Sequence, residues 1–467
     1  MTDTTWAPDL TQFPGPKYLS LSRALREAIR IGDLQANAQL PTVRDLAWRL
    51  HLTPGTVARA YQLATREGLL AATVGRGTFV AAHSPRLGPT QPLYTERVSG
   101  GTTGIVDLRP PQVPEVGQAE AFRAALLDMA QDTSSGWLDY TSQTGEAVLR
   151  AEIVTWMGDR MLGPIGPGDV ALTHGGQNAI GLIFDCCLRG ERPVVLVEEL
   201  AYPGFRSAAR AARAEVVAVE IDDQGIVPEA LEAACQRHGA QVLCLTTEAQ
   251  NPTTRRMPVQ RRQHVAEIAR RYDLQVLEDD CYSVAGSNIP ALRAMAPERV
   301  WLVGSVSKTI SAALRFGYVI CPSGMGEAGR LTAQHGFFAL SRPVADLMLH
   351  LFRSGAAAAI KRRVQAEFAE RLQIVVNHVG AYDLGWQPGV PFVWLRLPVG
   401  WRASTFTRMA EARGALVRSA DEYALIHGRA PSAVRIAIAG NVPREALEGA
   451  MRTLADLLAN PPSDLSV

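Results

Sequence analysis

The chain has 467 residues, of which 47% are hydrophobic and 20% charged, and its formal net charge is +1. That length fits two or three globular domains, and so even a charge balance excludes a nucleic-acid or membrane surface spread over the whole chain. No run of about 18 apolar residues occurs, and residues 1–16 lack the basic and apolar regions of a secretory signal. The sequence therefore predicts neither a membrane span nor an exported protein, and a cytoplasmic location is expected.

The six cysteines form no Cys-x-x-Cys pair and have no paired histidine nearby. The sequence therefore predicts no metal site and no disulfide framework, and the thiols are expected to be free and buried.

Basic residues concentrate near the start of the chain. Residues 16–83 carry nine Lys/Arg against four Asp/Glu, which is +5 and leaves −4 for the rest. Residues 84–104 are rich in Pro, Gly, Ser and Thr without a sustained period, which predicts a flexible linker. From residue 105 to residue 467, short β-branched runs alternate with amphipathic stretches, which predicts an α/β domain. We therefore expect a small basic domain joined to a large α/β domain.

Three helices are predicted in the small domain. Apolar residues at helical spacing predict a first helix that ends at Gly32. A second helix opens at Thr42, which has the capping-box spacing. A third opens at Thr53 with Pro54 in its first turn and ends at Gly68.

Two helices joined by so short a turn are typical of a helix-turn-helix, whose second helix enters the major groove of DNA. Gly55, Thr56 and Arg59 are expected to face outward from that helix. Two short strands around residues 75–77 predict a hairpin with Arg76 at its tip, where it would reach a phosphate or the minor groove. The alternative is a protein-docking module whose arginines are simply solvated.

Four motifs in this segment resemble the winged helix-turn-helix of the GntR regulator family. They are Leu-Pro-Thr-x-Arg-x-Leu-Ala at residues 40–47, Thr-Val-x-x-Ala-Tyr at 56–61, Glu-Gly-Leu at 67–69 and Gly-x-Gly-Thr-Phe-Val at 75–80. The family more often has Ser where Thr42 stands, which keeps the capping hydroxyl. The resemblance implies DNA contacts by Arg44, Thr56, Arg59 and Arg76.

In the large domain, an apolar strand at residues 300–303 leads to Lys308. Ser305 and Ser307 precede this lysine, and Arg315 follows it. A lysine that forms a Schiff base must lose its proton, and a phosphate beside it needs hydroxyl donors and a planar cation. These residues supply both, although Ser-x-Ser-Lys alone would also suit a surface turn.

Groups suited to a pyridine ring occur upstream in the chain. Asp279 ends an apolar strand, and a carboxylate facing a pyridine nitrogen keeps that nitrogen protonated. Tyr282 and Asn251 could each donate a hydrogen bond to a phenolate oxygen on such a ring. An acidic strand end or an Asn-Pro turn is common by itself, and it is the order of the motifs that supports the hypothesis.

Two further motifs would complete this site. Tyr202 offers an aromatic face that could stack on the ring. Gly175, Gly176 and Gln177 follow a short strand and open a helix, so their backbone amides could bind a phosphate. By itself, a Gly-Gly pair or a core tyrosine would not indicate a ligand site, because both are common in proteins.

This constellation resembles the fold-type I aminotransferases, especially those that act on aminoadipate and kynurenine, over about residues 105–459. The resemblance also includes Tyr-x-x-x-x-Gly-x-x-x-Leu-Arg at residues 140–150 and a late strand at residues 434–439. It implies pyridoxal 5'-phosphate as the cofactor, Lys308 as the Schiff-base residue and Arg435 as the residue that grips a ligand carboxylate.

Three positions depart from that pattern. Thr254 replaces the glycine of Asn-Pro-Thr-Gly, and Gly176 replaces a Ser/Thr that often adds a hydroxyl to the phosphate site. Cys281 stands where the aminotransferases often have Pro and some related regulators have Tyr. We therefore expect phosphate binding to depend more on Ser305, Ser307 and Arg315.

A GntR-type reader, a linker and an aminotransferase-like domain together resemble the MocR subfamily of bacterial regulators. That resemblance implies a homodimer, with a head-to-tail arrangement among the options, that binds double-stranded operator DNA. It also implies that an amine or amino-acid effector exchanges the internal aldimine at Lys308 for an external one. Arg435 favours an effector with a carboxylate or sulfonate.

Two other functions fit the same residues. One is an active aminotransferase that carries a DNA-binding domain, which turnover with an oxo-acid acceptor would reveal. The other is a regulator whose large domain has lost the cofactor and serves only for dimerisation, against which the intact Asp279 and Lys308 argue. The sequence favours the sensor over the enzyme.

Overall fold

The computed structural model describes residues 6–13, 15–31, 33–35, 38–66, 69–73, 77–81, 104–131, 138, 140, 143–282, 288–425 and 430–461. The chain divides into two compact units, Met1–Pro89 and Thr90–Val467. Among the described residues, no helix combines the length and apolar character that crossing a membrane requires.

The first unit contains the predicted three helices and hairpin. Their bounds are α1 (Lys17–Ile31), α2 (Val43–Arg49), α3 (Pro54–Arg66), β1 (Leu70–Thr73) and β2 (Gly77–Val80). The predicted caps are confirmed, because the Thr42 hydroxyl accepts the N–H of Asp45 at 3.2 Å and the Thr53 hydroxyl accepts that of Thr56 at 3.2 Å.

A single apolar core holds these helices together. Leu21 and Leu25 on α1, Leu46 on α2 and Val57 on α3 are all fully buried in it. The Tyr61 hydroxyl donates to the Pro41 carbonyl at 2.9 Å, which joins α3 to the segment before α2. The outward face of α3 is thereby fixed by the packing of its inward face.

The second unit is built around a twisted α/β sheet, with a smaller sheet near the end of the chain. Its elements are β3 (Val106–Asp107), α4 (Gln118–Gln131), α5 (Gln143–Trp156), β4 (Val170–Thr173), α6 (Gly176–Cys187), β5 (Val194–Glu198), α7 (Pro203–Ala211), β6 (Glu215–Val219), β7 (Ile221–Asp222), β8 (Gly225–Ile226), α8 (Pro228–His238), β9 (Val242–Leu245), α9 (Val259–Arg271), β10 (Gln275–Asp279), α10 (Leu292–Met295), β11 (Val300–Ser305), β12 (Gly317–Ile320), α11 (Gly326–Phe337), α12 (Arg342–Arg353), α13 (Ala356–Val379), β13 (Leu384–Gly385), β14 (Phe392–Arg396), α14 (Ala403–Ala412), β15 (Ala415–Leu416), β16 (Arg418–Ser419), β17 (Ala433–Ala437) and α15 (Arg444–Ala459).

The large sheet has the strand order β4-β12-β11-β10-β9-β5-β6. Only β12 runs antiparallel to its neighbours among these strands. Strands β4, β5, β9, β11 and β12 are buried along their whole length, as expected of a sheet covered on both faces by helices. The predicted α/β class is confirmed.

The smaller sheet is antiparallel, with the order β13-β14-β17-β16. Val393, Val434 and Ile436 from this sheet pack into one core with residues of α13 and α15. The six cysteines are all free, as predicted, but only Cys235, Cys244 and Cys321 are buried. The others lie at partly exposed positions, so the expectation of uniformly buried thiols is wrong for them.

Candidate functional site

The predicted residues of the large domain converge on one edge of the large sheet. The carboxyl ends of β4, β5, β9, β10 and β11 share this edge, and the antiparallel β12 begins there. In open α/β sheets, ligands bind at this edge. The residues that lie in or next to these strand ends are Gly175, Tyr202, Asn251, Asp279, Ser305, Lys308 and Arg315.

Lys308 lies just beyond β11 and is partly buried. Its Nζ donates to the Pro111 carbonyl at 2.9 Å. Burial, together with the positive charges of Arg435 and Arg315, lowers the pKa of this amine to about 8. A neutral amine is therefore accessible near neutral pH, which imine formation requires.

Asp279 ends β10 on the same edge. Its Oδ1 accepts the backbone N–H of Cys281 at 3.0 Å, which fixes the orientation of the carboxylate. Burial raises the pKa of Asp279, while hydrogen bonds from Cys281 partly offset that rise. A cation placed against this carboxylate would compensate for the lost hydration.

Arg435 on β17 is only 5% exposed, and its buried Nε has no hydrogen-bond partner in the described part of the chain. One guanidinium nitrogen donates to Asn251 Oδ1 at 2.8 Å and another to the Arg109 carbonyl at 3.0 Å. The guanidinium also lies 4.8 Å from the ring centroid of Phe392 and 5.2 Å from that of Tyr423. These contacts preorganise Arg435, and its hydrogen-bond acceptors are neutral.

The turn before α6 forms a small concave surface with Arg315. Gly175 caps the helix with φ 81°, and Arg315 donates to the His174 carbonyl at 3.1 Å. That positive φ would strain any other residue, and a Cβ on Gly175 would also lie 2.8 Å from an Arg315 guanidinium nitrogen. A helix N-terminus beside a guanidinium is well suited to an anion.

The two departures at Gly176 and Cys281 are neighbours in space. A Cβ on Gly176 would lie 2.7 Å from the Cys281 sulfur, closer than real Cβ contacts allow. The Cys281 side chain therefore occupies the space that a Ser or Thr at position 176 would need. The sequence showed each departure separately, but their contact is visible only in the fold.

Two tyrosines border the site. Tyr202 lies against Gly204, where a Cβ would overlap its ring, and Gln177 Nε2 donates to the Gly204 carbonyl at 3.0 Å. Burial raises the pKa of Tyr202 to about 12. Tyr282 packs against Phe392 with ring centroids 5.1 Å apart, and burial raises its pKa as well. Both phenols are therefore kept protonated and able to donate.

The two serines before Lys308 occupy different environments. Ser305 is buried, and its hydroxyl lies 3.2 Å from the Phe316 carbonyl and 3.0 Å from the Ser307 hydroxyl. It also accepts the N–H of Ser307 at 3.2 Å. Ser305 thus shapes the turn, whereas Ser307 is the more accessible hydroxyl.

In the first unit, Arg44 and Thr56 lie near the starts of α2 and α3. Arg44 is exposed. Thr56 is partly exposed, and its hydroxyl lies 2.9 Å from that of Thr53. This contact holds the Thr56 side chain in one orientation at the helix start.

Arg59 is exposed on α3, but it is not simply solvated. Its guanidinium carbon lies 4.1 Å from the ring centroid of Tyr18 on α1. The aromatic ring therefore restricts the directions in which Arg59 can extend. The predicted fourth contact, Arg76, lies outside the described residues.

Some groups at the large site carried no recognisable sequence signal. Arg109 and Pro111 contribute backbone carbonyls, which any residue type could supply. Phe392 and Tyr423 flank Arg435 from separate segments of the chain. Apart from the Leu-Arg-Pro-Pro run at residues 108–111, no local pattern marks these positions.

Comparisons with known proteins agree with this geometry. The family described as aminotransferase class I and II matches residues 108–454, and the gntR family of bacterial regulatory proteins matches residues 17–80. The HTH-type transcriptional regulator YdeF of Bacillus subtilis is 28% identical over 462 residues, which covers 97% of each chain. MocR of Rhizobium meliloti, a probable rhizopine catabolism regulatory protein, is 25% identical over 392 residues, covering 77% of this chain and 76% of MocR.

Among solved structures, the kynurenine aminotransferase of Pyrococcus horikoshii matches with a TM-score of 0.68 and 20% identity, covering 77% of this chain and 91% of that one. This likeness shows the fold of the large domain. The aminotransferase class I and II family is dependent on pyridoxal phosphate. Because that match spans most of the chain, the chain belongs to the aminotransferase class I and II family, and a GntR-type helix-turn-helix domain precedes its aminotransferase domain.

Proposed function

We propose that this regulator binds operator DNA through residues 16–83 and senses an amine or amino-acid effector at Lys308 within residues 105–467. Residues 84–104 would connect the two functions. The observation that carries the proposal is the environment of Lys308: a partly buried amine, with a pKa lowered to about 8, between two arginines on the ligand-binding edge of the sheet.

The residues on this edge suit pyridoxal phosphate. The Arg315 guanidinium lies so close to Gly175 at the start of α6 that a Cβ there would contact it, which places a positive charge beside free backbone amides, as a phosphate site requires. Asp279 is a partly buried carboxylate whose pKa is raised by desolvation, which favours a cationic ring nitrogen beside it. When bound, the cofactor supplies an aldehyde that forms a reversible imine with an amine.

The phosphate group would be held by Ser307 and Arg315, with Ser305 supporting the turn. Gly175, Gly176 and Gln177 would present the start of α6 to it. The ring would lie near Tyr202, Asn251, Asp279 and Tyr282. The role of Lys308 is to release and recover a proton at Nζ as the effector amine replaces it.

Arg435 would bind the acidic group of the effector. Its present acceptors, Asn251 Oδ1 and the Arg109 carbonyl, are both neutral. A carboxylate or sulfonate forms stronger, charge-assisted hydrogen bonds with a guanidinium than neutral acceptors do. An anionic effector can therefore displace these contacts, and its differential affinity for two conformations would drive the response.

DNA contacts are proposed for Arg44, Thr56, Arg59 and Arg76. The first three lie on or near the outward surfaces of α2 and α3, where a helix-turn-helix meets the major groove. The Tyr18 ring limits the freedom of Arg59, which lowers the entropy lost on binding.

A homodimer is proposed for the large domain. Leu126 and Leu127 on α4 are 50% and 61% exposed, and Tyr140 stacks on Phe338 at 5.5 Å while both rings remain exposed. Large exposed apolar side chains of this kind mark interaction surfaces. A dimer would present two readers and therefore bind two half-sites.

The test is an absorption spectrum of the purified protein and of Lys308→Ala, followed by operator binding with and without effector. We expect a band near roughly 410–430 nm in the wild type alone. The variant should keep basal operator affinity and lose the effector response. The sequence holds three lysines, Lys17, Lys308 and Lys361, so borohydride reduction and peptide mass analysis can assign the labelled residue.

Lys361→Ala is the matched control. Lys361 lies on α13, and its amine forms an ion pair with the Asp159 carboxylate at 3.0 Å. It should retain both the band and the response. A missing band after cofactor addition, or an unchanged effector response in Lys308→Ala, would refute the sensing role. Rapid turnover with an oxo-acid acceptor would instead favour an active aminotransferase.

A further inference from the structure

A second arginine lies directly opposite Arg435 in the smaller sheet. Arg418 on β16 and Arg435 on β17 are antiparallel register partners, and Trp394 on β14 is the partner of Arg435 on its other side. Side chains directly opposite one another in adjacent strands project from the same face of the sheet. Arg418 therefore shares a face with Arg435.

That face is turned away from the helices. Val393, Val417 and Val434 each directly precede one of these three residues in the chain. All three valines pack in the core that includes α13 and α15. Because successive side chains alternate between faces, Arg418 and Arg435 project from the opposite one. On that side, Arg435 reaches Asn251 on the large-sheet edge, so Arg418 borders the same site.

Electrostatics also place the two guanidinium groups near one another. The positive charges of Arg435 and Arg418 both act on the buried Tyr423 phenol, where they oppose the rise in pKa that burial causes. Like charges directly opposite in a sheet are unfavourable unless an anion lies nearby. A ligand that brings anionic groups to both arginines would relieve this repulsion.

Arg418 already has one carboxylate partner, Glu422, four residues further along the chain. The Glu422 side chain is 42% exposed, whereas that of Arg418 is 19% exposed. A half-exposed ion pair of this kind contributes little net stability, since water can replace the carboxylate. An incoming anion could therefore displace Glu422 toward solvent at small cost.

We infer that Arg418 binds a second anionic group of the effector. The effector would then be an amine that carries two acidic groups, of the amino-dicarboxylate class. One acidic group contacts Arg435, and the other contacts Arg418 in place of Glu422. This inference rests on the proposed sensing function, because it assigns the second half of the same ligand site.

The first test compares acids with their uncharged amides on the cofactor-loaded protein. L-Glutamate with L-glutamine, and L-aspartate with L-asparagine, are titrated while the change in cofactor absorbance is followed. In at least one pair, we expect the acid to reach half-saturation at about a tenfold lower concentration than its amide, as a charge-assisted contact implies. Equal half-saturation within both pairs would overturn the inference.

Variants assign the preference to Arg418. Arg418→Gln should bring the acid-to-amide ratio close to one, and Arg418→Lys should retain part of the preference. Glu422→Gln should strengthen it, because the competing carboxylate is gone. A preference that survives Arg418→Gln would contradict the inference.

Arg413→Gln is the matched control, because Arg413 is an exposed arginine paired with Asp456 and should leave the ratio intact. Its thermal midpoint and that of Arg418→Gln also show whether each variant is folded.

A ligand without an amine separates this inference from the sensing proposal. Glutarate and its monoamide cannot form an imine, so their effect on the thermal midpoint reports anion binding alone. If no amino acid changes the cofactor spectrum, the sensing proposal fails. Greater stabilisation by glutarate than by its monoamide, lost in Arg418→Gln, would still support the subsite, and equal stabilisation would overturn it.

Discussion

The two regions assigned to function are built in opposite ways. At the large-sheet edge, Lys308, Asp279 and Arg435 are at least partly buried. Backbone carbonyls of a distant segment accept hydrogen bonds from Lys308 and Arg435, and the N–H of Cys281, two residues further along the chain, orients Asp279. On the first unit, Arg44 and Arg59 are exposed, and the Arg59 guanidinium packs on the ring of Tyr18 from α1.

This difference determines how a substitution affects each of the two functions. A buried constellation is preorganised, so a change in charge or volume of one group disturbs the groups that contact it. An exposed reader has few such contacts, and removal of one arginine should subtract one interaction and little else.

The largest effect is expected for Asp279→Asn, which keeps the side-chain volume and removes the charge. Loss of a buried ionic hydrogen bond to the cofactor ring should cost about 3 kcal/mol, which weakens cofactor affinity about 100-fold. Spectroscopic titration with pyridoxal phosphate measures this. Operator affinity without effector should be unchanged, and a parallel loss of DNA binding would break the separation between the regions.

The next effect concerns the contact between positions 176 and 281. Gly176→Ser should weaken cofactor binding about tenfold, because its Cβ would lie 2.7 Å from the Cys281 sulfur. Gly176→Ser combined with Cys281→Ala should recover most of the affinity, whereas Cys281→Ala alone should have a small effect. Additive effects of the two substitutions in this cycle would show that the side chains are not coupled.

A comparable or smaller loss is expected for Arg59→Ala on the reader. Removal of one arginine contact should weaken operator binding about tenfold, or about 1.4 kcal/mol, with the cofactor spectrum unaffected. Tyr18→Leu should produce part of this loss, because the ring that orients Arg59 is removed. Fluorescence anisotropy with labelled operator measures both, and undiminished affinity of Arg59→Ala would exclude it from the recognition surface.

The smallest effect is on stability, and it tests how burial changes the ionisation of a carboxyl group at the sheet edge. Glu198 at the end of β5 is buried, which raises its pKa from 4.5 to about 8. Between these values the unfolded chain binds fewer protons than the folded one at this site, so stability falls as pH rises through that range. Glu198→Gln should remove this fall, so its stability relative to wild type should rise between pH 5 and pH 8.

Chemical denaturation at pH 5 and pH 8 checks this expectation. The difference between Glu198→Gln and wild type should be larger at pH 8. Glu191→Gln, at an exposed position before β5, is the control and should show little dependence of that kind. An identical difference at both pH values would mean that Glu198 does not stay protonated.

Much of the fold was predictable, because its determinants are local. Thr42 and Thr53 cap α2 and α3 as their spacing indicates, and the apolar runs at residues 194–197, 242–245 and 300–303 are buried strands. The order of motifs along the chain likewise predicted which residues would meet, since parallel strands bring their carboxyl ends to one edge.

The remaining features depend on contacts between distant segments. Arg418 and Arg435 lie opposite one another because of the register between β16 and β17. A strand of two residues, such as β16, is too short for its sequence to predict that register. The clash that a Cβ at position 176 would make with the Cys281 sulfur involves two positions more than a hundred residues apart in the chain. The carbonyls that accept from Lys308 and Arg435 have no residue-type signature.

Those carbonyls belong to the stretch that enters the large domain directly after the predicted linker. Strand β3 anchors this stretch to β15, and the carbonyls of Arg109 and Pro111 accept hydrogen bonds from Arg435 and Lys308. If the cofactor engages Lys308 and an effector engages Arg435, both carbonyls lose cationic donors and need new partners or a new position. Ligand binding at this site would therefore act directly on the segment that joins the large domain to the predicted linker, and the linker leads to the DNA-binding unit.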